Sequence, residues 1–215
     1  MNENIVTALE KNKIIVIVRG IDKEHIIPLA EAMYKGGIRF IEVTFDAKGI
    51  CTDEQTAEKI KILNNAFDGR MYIGAGTVIN EKQAEIAYDA GAKYIISPDT
   101  NPAVIKRTKQ LGMLSMPGAL TPTEALTAHN SGADYVKLFP IGELGVSYFK
   151  AVKAPLSHIR FLAVGGITLD NMRDYLDAGA YGFGIGSSIV KKSLIEQEKF
   201  EEISHISAEY VAKIK

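Results

Sequence analysis

The chain offers little sulfur chemistry. Cys51 is the single cysteine among 215 residues, which excludes an intrachain disulfide and a cysteine-rich metal site. An excess of one charge is also lacking. The 25 Lys and Arg residues are balanced by 26 Asp and Glu, without the basic stripe that nucleic-acid binding asks for. Long apolar runs are missing as well. The run Ile14 to Val18 spans five residues, whereas a membrane-crossing helix takes about 20. Met1-Asn2-Glu3-Asn4 has no basic segment leading into an apolar stretch, so no signal peptide is read there and a cytoplasmic location is expected. The 7 prolines are scattered and no flexible linker divides the chain. At roughly 100–200 residues per domain, the span 1–215 reads as one domain. A 47% hydrophobic and 24% charged composition rules out disorder and low complexity.

What is present is an alternation. Short β-rich runs (14–18, 39–44, 71–75, 93–97, 113–116, 134–139, 160–164 and 181–186) are each followed by a helical stretch. The helices are expected over about 23–35, 53–66, 81–90, 101–110, 122–131, 146–153, 169–178 and 197–213. Asp22 is placed to cap the first and Gly36-Gly37 to stop it. Strict β-α alternation implies a parallel sheet. About eight units in this length point to a single-domain (β/α)8 TIM barrel. A doubly wound open sheet is the competing architecture, but no G-x-G-x-x-G follows the first strand.

A weak repeat supports the barrel. Gly37-Ile38-Arg39-Phe40-Ile41-Glu42, Gly91-Ala92-Lys93-Tyr94-Ile95-Ile96, Gly132-Ala133-Asp134-Tyr135-Val136-Lys137 and Gly179-Ala180-Tyr181-Gly182-Phe183-Gly184 each enter a strand from a glycine, as a left-handed helix cap requires. The repeat aligns Glu42 with Lys137. Their apolar neighbours Ile41, Val43, Val136 and Leu138 should face the helices, so both charges point into the barrel. They fall on the second and sixth strands, near the C-terminal ends where barrel enzymes carry out their chemistry. A buried structural ion pair would explain them, although such pairs add little stability. The alternative is chemical. Burial lowers a lysine pKa, a neutral amine attacks a ketone to form a Schiff base, and a facing carboxylate moves protons.

The expected seventh and eighth strands end in Val164-Gly165-Gly166 and Gly184-Ile185-Gly186-Ser187. Barrel loops at these positions often bind phosphate through backbone N–H groups. The substrate class that follows is a small phosphorylated carbonyl compound.

With these residues in hand, the chain resembles the 2-keto-3-deoxy-6-phosphogluconate (KDPG) and 4-hydroxy-2-oxoglutarate (KHG) aldolase family, which includes phosphogalactonate-type members. The likeness runs over about residues 5–210. It is carried by Ile41-Glu42-Val43-Thr44, Gly74-Ala75-Gly76-Thr77-Val78, Ile96-Ser97-Pro98, Pro117-Gly118, Val136-Lys137-Leu138-Phe139-Pro140, Val164-Gly165-Gly166-Ile167 and Gly186-Ser187. The resemblance implies a class I aldolase that cleaves a 2-keto-3-deoxy-6-phospho sugar acid to pyruvate and glyceraldehyde 3-phosphate, and also 4-hydroxy-2-oxoglutarate to pyruvate and glyoxylate. It gives Lys137 the Schiff-base role and Glu42 the general acid/base role. Thr77, Pro98 and Phe139 match the pyruvate pocket, and Gly165, Gly166, Gly186 and Ser187 the phosphate cradle. It implies a homotrimer that needs neither cofactor nor metal, and no nucleic-acid or membrane partner.

Two positions depart from the phosphogluconate-type pattern. Asp46 stands where many members carry a carboxylate-binding Arg, which leaves Arg19 as the replacement anion ligand or else a rim salt bridge. Val164 replaces a Thr, removing a hydroxyl. With Val18-Arg19-Gly20-Ile21 it looks more like phosphogalactonate-type members. His25 and His129 are read as exposed helix residues, and Cys51 as a loop residue without a nucleophile's partner. Phe200, Ile203, Ile206 and Tyr210 have helical spacing and should pack on the barrel. Two rivals remain: another barrel enzyme acting on sugar phosphates, and a non-catalytic sugar-phosphate-binding barrel.

Overall fold

The computed structural model describes residues 4–214. Its strands are β1 (Ile14–Val18), β2 (Phe40–Thr44), β3 (Tyr72–Gly76), β4 (Tyr94–Ile96), β5 (Leu114–Met116), β6 (Gly118–Ala119), β7 (Val136–Leu138), β8 (Phe161–Val164) and β9 (Gly182–Ile185). All pair in parallel, in the order β5-β4-β3-β2-β1-β9-β8-β7-β6. The two ends of that order are halves of one stave, split at Pro117, which has no N–H to give a ladder. On one side of the stave Ser97 N–H donates to Met116 O at 3.3 Å, and on the other Lys137 N–H donates to Pro117 O at 2.9 Å. Eight staves therefore close into the expected (β/α)8 barrel.

Side-chain alternation divides the core in two. Ile41, Val43, Val136 and Leu138 pack outward among the helices, in one cluster with Leu29, Ile60 and Phe149. Ile15, Phe40, Tyr94, Met116, Tyr135 and Leu162 fill the barrel itself. The surrounding helices include α2 (Lys23–Lys35), α3 (Asp53–Ala66) and α10 (Phe200–Lys213). Gly37, Gly91, Gly132 and Gly179 of the repeat all have φ between 88° and 102°, so each helix ends in the left-handed turn that only glycine adopts cheaply. At Gly36 a side chain would collide with Ser207, so α10 crosses α2 closely. Ile203 and Tyr210 of α10 are buried as expected.

Some expectations are corrected. A helix at Ile5–Asn12, α1, escapes the period test because it is only 8 residues long. It is capped by Asn4 and packs Ala8 and Leu9 into the inner cluster. The helix expected from 146 starts at Ile141, with non-helical Gly145 (φ 77°) breaking the pattern. Met172–Asp177 is shorter than expected, and a short helix at Lys192–Glu196 precedes α10. Asp22 occupies the cap of α2, but its side chain makes no capping bond. His25 and His129 are half-buried, the latter edge-on to His158 at 4.9 Å. Among the described residues no helix is long and apolar enough to cross a membrane.

Candidate active site

Glu42 is the middle residue of β2 and Lys137 the middle residue of β7. Both face the barrel interior, 2% and 8% exposed respectively. Burial pushes the Glu42 carboxyl up to about 7, against the opposing pull of Lys137 and Arg19. Burial pushes the Lys137 ammonium down; Glu42 and Asp99 resist, and Arg19 adds to the shift. Desolvation outweighs the mutual attraction in both groups, so each is biased toward its neutral form. A larger neutral-amine fraction suits nucleophilic attack, and a carboxyl near neutrality suits proton transfer in both directions.

The space for Glu42 is made by β3. A Cβ on Gly76 would stand 2.6 Å from Glu42 Oε1, so any side chain there would displace the carboxylate. The Gly-Ala-Gly of β3, recognisable in the sequence only as a motif, is a steric requirement of the site. Lys137 Nζ lies 4.9 Å from the centre of the Phe139 ring, two residues on. That ring is 39% exposed and its edge closes on Gly165, where a Cβ would come within 3.1 Å.

Arg19 and Thr77 meet at the barrel mouth. Arg19 Nη2 donates to Thr77 Oγ1 at 2.9 Å, and Thr77 has φ 58°, a strained conformation for a β-branched residue and one that collects at functional sites. Among the described residues Arg19 forms no salt bridge; its charge acts on both Glu42 and Lys137. The Asp46 carboxylate accepts backbone N–H bonds from Lys48, Ile50 and Cys51 at 2.9, 2.9 and 3.1 Å, and the bonds hold its pKa below the usual value. These bonds fix the carboxylate, in its charged form, within an Asx-type loop. A cavity of about 660 Å³ beside the mouth is lined in part by Arg19, Thr44, Asp46 and Lys192.

The two glycine-rich loops lie across β8 and β9. Gly165 and Gly166 have φ 84° and 75°, and Gly165 O accepts from Gly142 N–H at 2.8 Å. Asn171 braces the turn, accepting from Thr168 N–H at 2.9 Å and donating to Gly166 O at 2.8 Å. Gly186 follows β9, and Ser187 is exposed beside it. Val164 is buried, its methyls against Gly184. Pro98 is exposed at the rim; a Cβ on Gly118 would strike its carbonyl. Cys51 lines the cavity beside the mouth, its Sγ 3.7 Å from Lys59 Nζ.

Comparison with known proteins follows the same lines. A family model described as KDPG and KHG aldolase matches residues 5–206. The 2-dehydro-3-deoxy-6-phosphogalactonate aldolase of Escherichia coli is 34% identical over 182 residues, covering 84% of this chain and 86% of that protein. The 2-dehydro-3-deoxy-phosphogluconate aldolase of Haemophilus influenzae is 31% identical over 214 residues, covering 99% and 98%. A solved structure of KDPG aldolase from Legionella pneumophila, with pyruvate captured at low pH as a covalent carbinolamine, matches with a TM-score of 0.85 at 26% identity, covering 97% of this chain and 98% of that one.

Proposed function

The chain belongs to the KDPG and KHG aldolase family, and from that footing we propose that Lys137 and Glu42 run a Schiff-base cleavage of a 2-keto-3-deoxy-6-phospho sugar acid. The observation that carries the reading is the pair itself: an amine and a carboxyl, both buried in one barrel interior and both biased toward neutrality.

The neutral Lys137 amine adds to the C2 ketone, and the carbinolamine takes a proton from the neutral Glu42 carboxyl and loses water, giving a protonated imine and an ionised Glu42. Ionised Glu42 takes the proton of the C4 hydroxyl. The C3–C4 bond then breaks, its electron pair moving into the imine, and an aldehyde leaves. The remaining enamine takes a proton back at C3 from Glu42, and water releases pyruvate from Lys137. Arg19, seated on Thr77, pairs with the substrate carboxylate in the place of the Arg that Asp46 supplants. Phe139 and Pro98 wall the pyruvate pocket. Backbone N–H groups of Gly165, Gly166 and Gly186, with the Ser187 hydroxyl, receive the phosphate. No cofactor or metal enters the scheme.

A second reading concerns stereochemistry. Val164 presents methyls where a hydroxyl would otherwise meet the substrate, which favours a galactonate-type preference; comparing kcat/KM for the two phosphorylated diastereomers decides it. The quaternary reading, a homotrimer, rests on the resemblance and is tested by sedimentation. The chemical reading is tested by coupled assay of pyruvate release. Wild-type protein should turn over, and Lys137→Ala should fold without activity. Retained activity in Lys137→Ala would overturn the assignment.

A further inference from the structure

Three buried polar atoms in the barrel interior lack a hydrogen-bond partner among the described protein groups: Glu42 Oε2, Tyr94 Oη and, beneath the Arg160 guanidinium, Tyr135 Oη; the first two lie at one level. Their placement is connected. Glu42 on β2 pairs with Gly74 on β3. Ala75 pairs with Ile95, so Gly74 stands opposite Tyr94. The three residues share one level of the barrel, with glycine in the middle. The Tyr94 ring lies across Gly74, in the space a side chain there would fill, with Cε2 and Cζ among its closest atoms. The hydroxyl end of the ring thus leans over β3 toward β2. Tyr94 is fully buried, and a phenol in such a place ordinarily finds a partner.

We propose that Tyr94 is a positioning residue for Glu42, its hydroxyl donating to a single water that in turn donates to Oε2 of the ionised carboxylate. The proposal rests on the aldolase reading. It assigns chemistry to a residue that packing alone would fill with phenylalanine. The bond stabilises the charged form of Glu42 inside a site whose burial opposes it, and keeps the carboxylate directed at the substrate proton. Other groups also set this ionisation. Lys137 faces Glu42 from β7 and Arg19 from the end of β1. Asp99, after β4, acts on Lys137. Tyr72 on β3 is stacked on Phe40 at 4.7 Å, one level below. Ile17, Thr44, Gly74 and Gly76 bring no charge. Tyr94 feels the same coupling: burial first, and Glu42 second, hold its phenol well above the ordinary value. It therefore stays protonated and available as a donor.

The test is exchange of the pyruvate methyl protons in D2O, followed by NMR from pH 5 to 9. In the Lys137 imine of pyruvate, ionised Glu42 removes a C3 proton to give the enamine, and a deuteron returns to C3. Tyr94→Phe keeps the ring over Gly74 and removes only the donor. Loss of a bond to the charged form raises the Glu42 pKa. The acid limb should move up by about half to one pH unit, a fall of roughly 3- to 10-fold at pH 6, with little change at pH 9. Borohydride trapping of pyruvate on Lys137 should persist. An unmoved limb, or one moved down, overturns the role of Tyr94 while leaving the aldolase reading intact. Absence of both exchange and trapping in the wild-type protein overturns the aldolase reading itself. Should Tyr94→Phe fail to fold, replacement of tyrosine by 3-fluorotyrosine makes a stronger donor and should move the limb down; an unmoved limb there overturns the proposal.

Discussion

On β2, Phe40 and Glu42 face the barrel interior two residues apart, and Tyr135, just before β7, and Lys137 on it do the same. The lower members are held by aromatic packing, with the Tyr135 hydroxyl left without a protein partner among the described residues. Phe40 stacks on Tyr72 at 4.7 Å and tilts against Tyr94 at 5.9 Å. Tyr135 lies 4.6 Å beneath the Arg160 guanidinium, and Leu9 of α1 joins the same cluster. The upper members are titratable groups, Glu42 in space that Gly76 keeps open and with one carboxylate oxygen unpartnered, Lys137 beside the Phe139 ring. The same staves thus hold a stabilising floor and a reactive ceiling separated by two residues. Burial that strengthens the floor is what shifts the ionisation of the ceiling.

That contrast can be broken from either side. Above, Glu42→Gln should cost about 10²- to 10⁴-fold in cleavage, the usual span for a general acid/base, with trapping on Lys137 retained; steady-state assay alongside borohydride labelling reads both. Below, Phe40→Ala should cost about 3–5 kcal/mol of stability, while kcat per folded molecule holds, as denaturant titration and active-site counting would show. Removing both titratable groups, in Glu42→Gln with Lys137→Met, should abolish activity and raise stability by about 1–4 kcal/mol, because the desolvation cost of two buried ionisable groups is removed. The pH dependence sharpens this. Glu42 has its pKa raised to about 7 from 4.5, so its contribution to stability is fully present below pH 4.5 and is lost as pH rises through about 7. Glu42→Gln should therefore gain on the wild type in melting temperature from pH 5 to pH 8; a constant gap would contradict the raised value. The smallest effect belongs to Asp46→Ala, which frees three backbone N–H groups. It should raise KM modestly and leave kcat near wild type, since Asp46 shapes the mouth without touching the reacting atoms.

Much of the ceiling was legible in the sequence, because strand alternation is a strict period. Apolar neighbours on both sides of Glu42 and Lys137 place the two charges inward without reference to anything distant. The helix over 23–35 was equally legible, with Gly36-Gly37 marking its end. What escaped were contacts between staves. Tyr94 reads as a core aromatic on β4, and its relation to Glu42 appears only once β3 lies between them with a glycine at that level. Asp46 reads as a misplaced charge, and the three backbone groups that hold its carboxylate come from a few residues on, which a loop must first bring around. The helix α1 was too short for periodicity to register, and its role as a floor is visible only when the barrel exists.

The most direct measurement is borohydride reduction in the presence of pyruvate, followed by peptide mass mapping. The account predicts a reduced pyruvate adduct on Lys137, formed in wild type and in Glu42→Gln and absent in Lys137→Ala. A folded wild-type protein that yields no adduct, or yields one on another lysine, would contradict it.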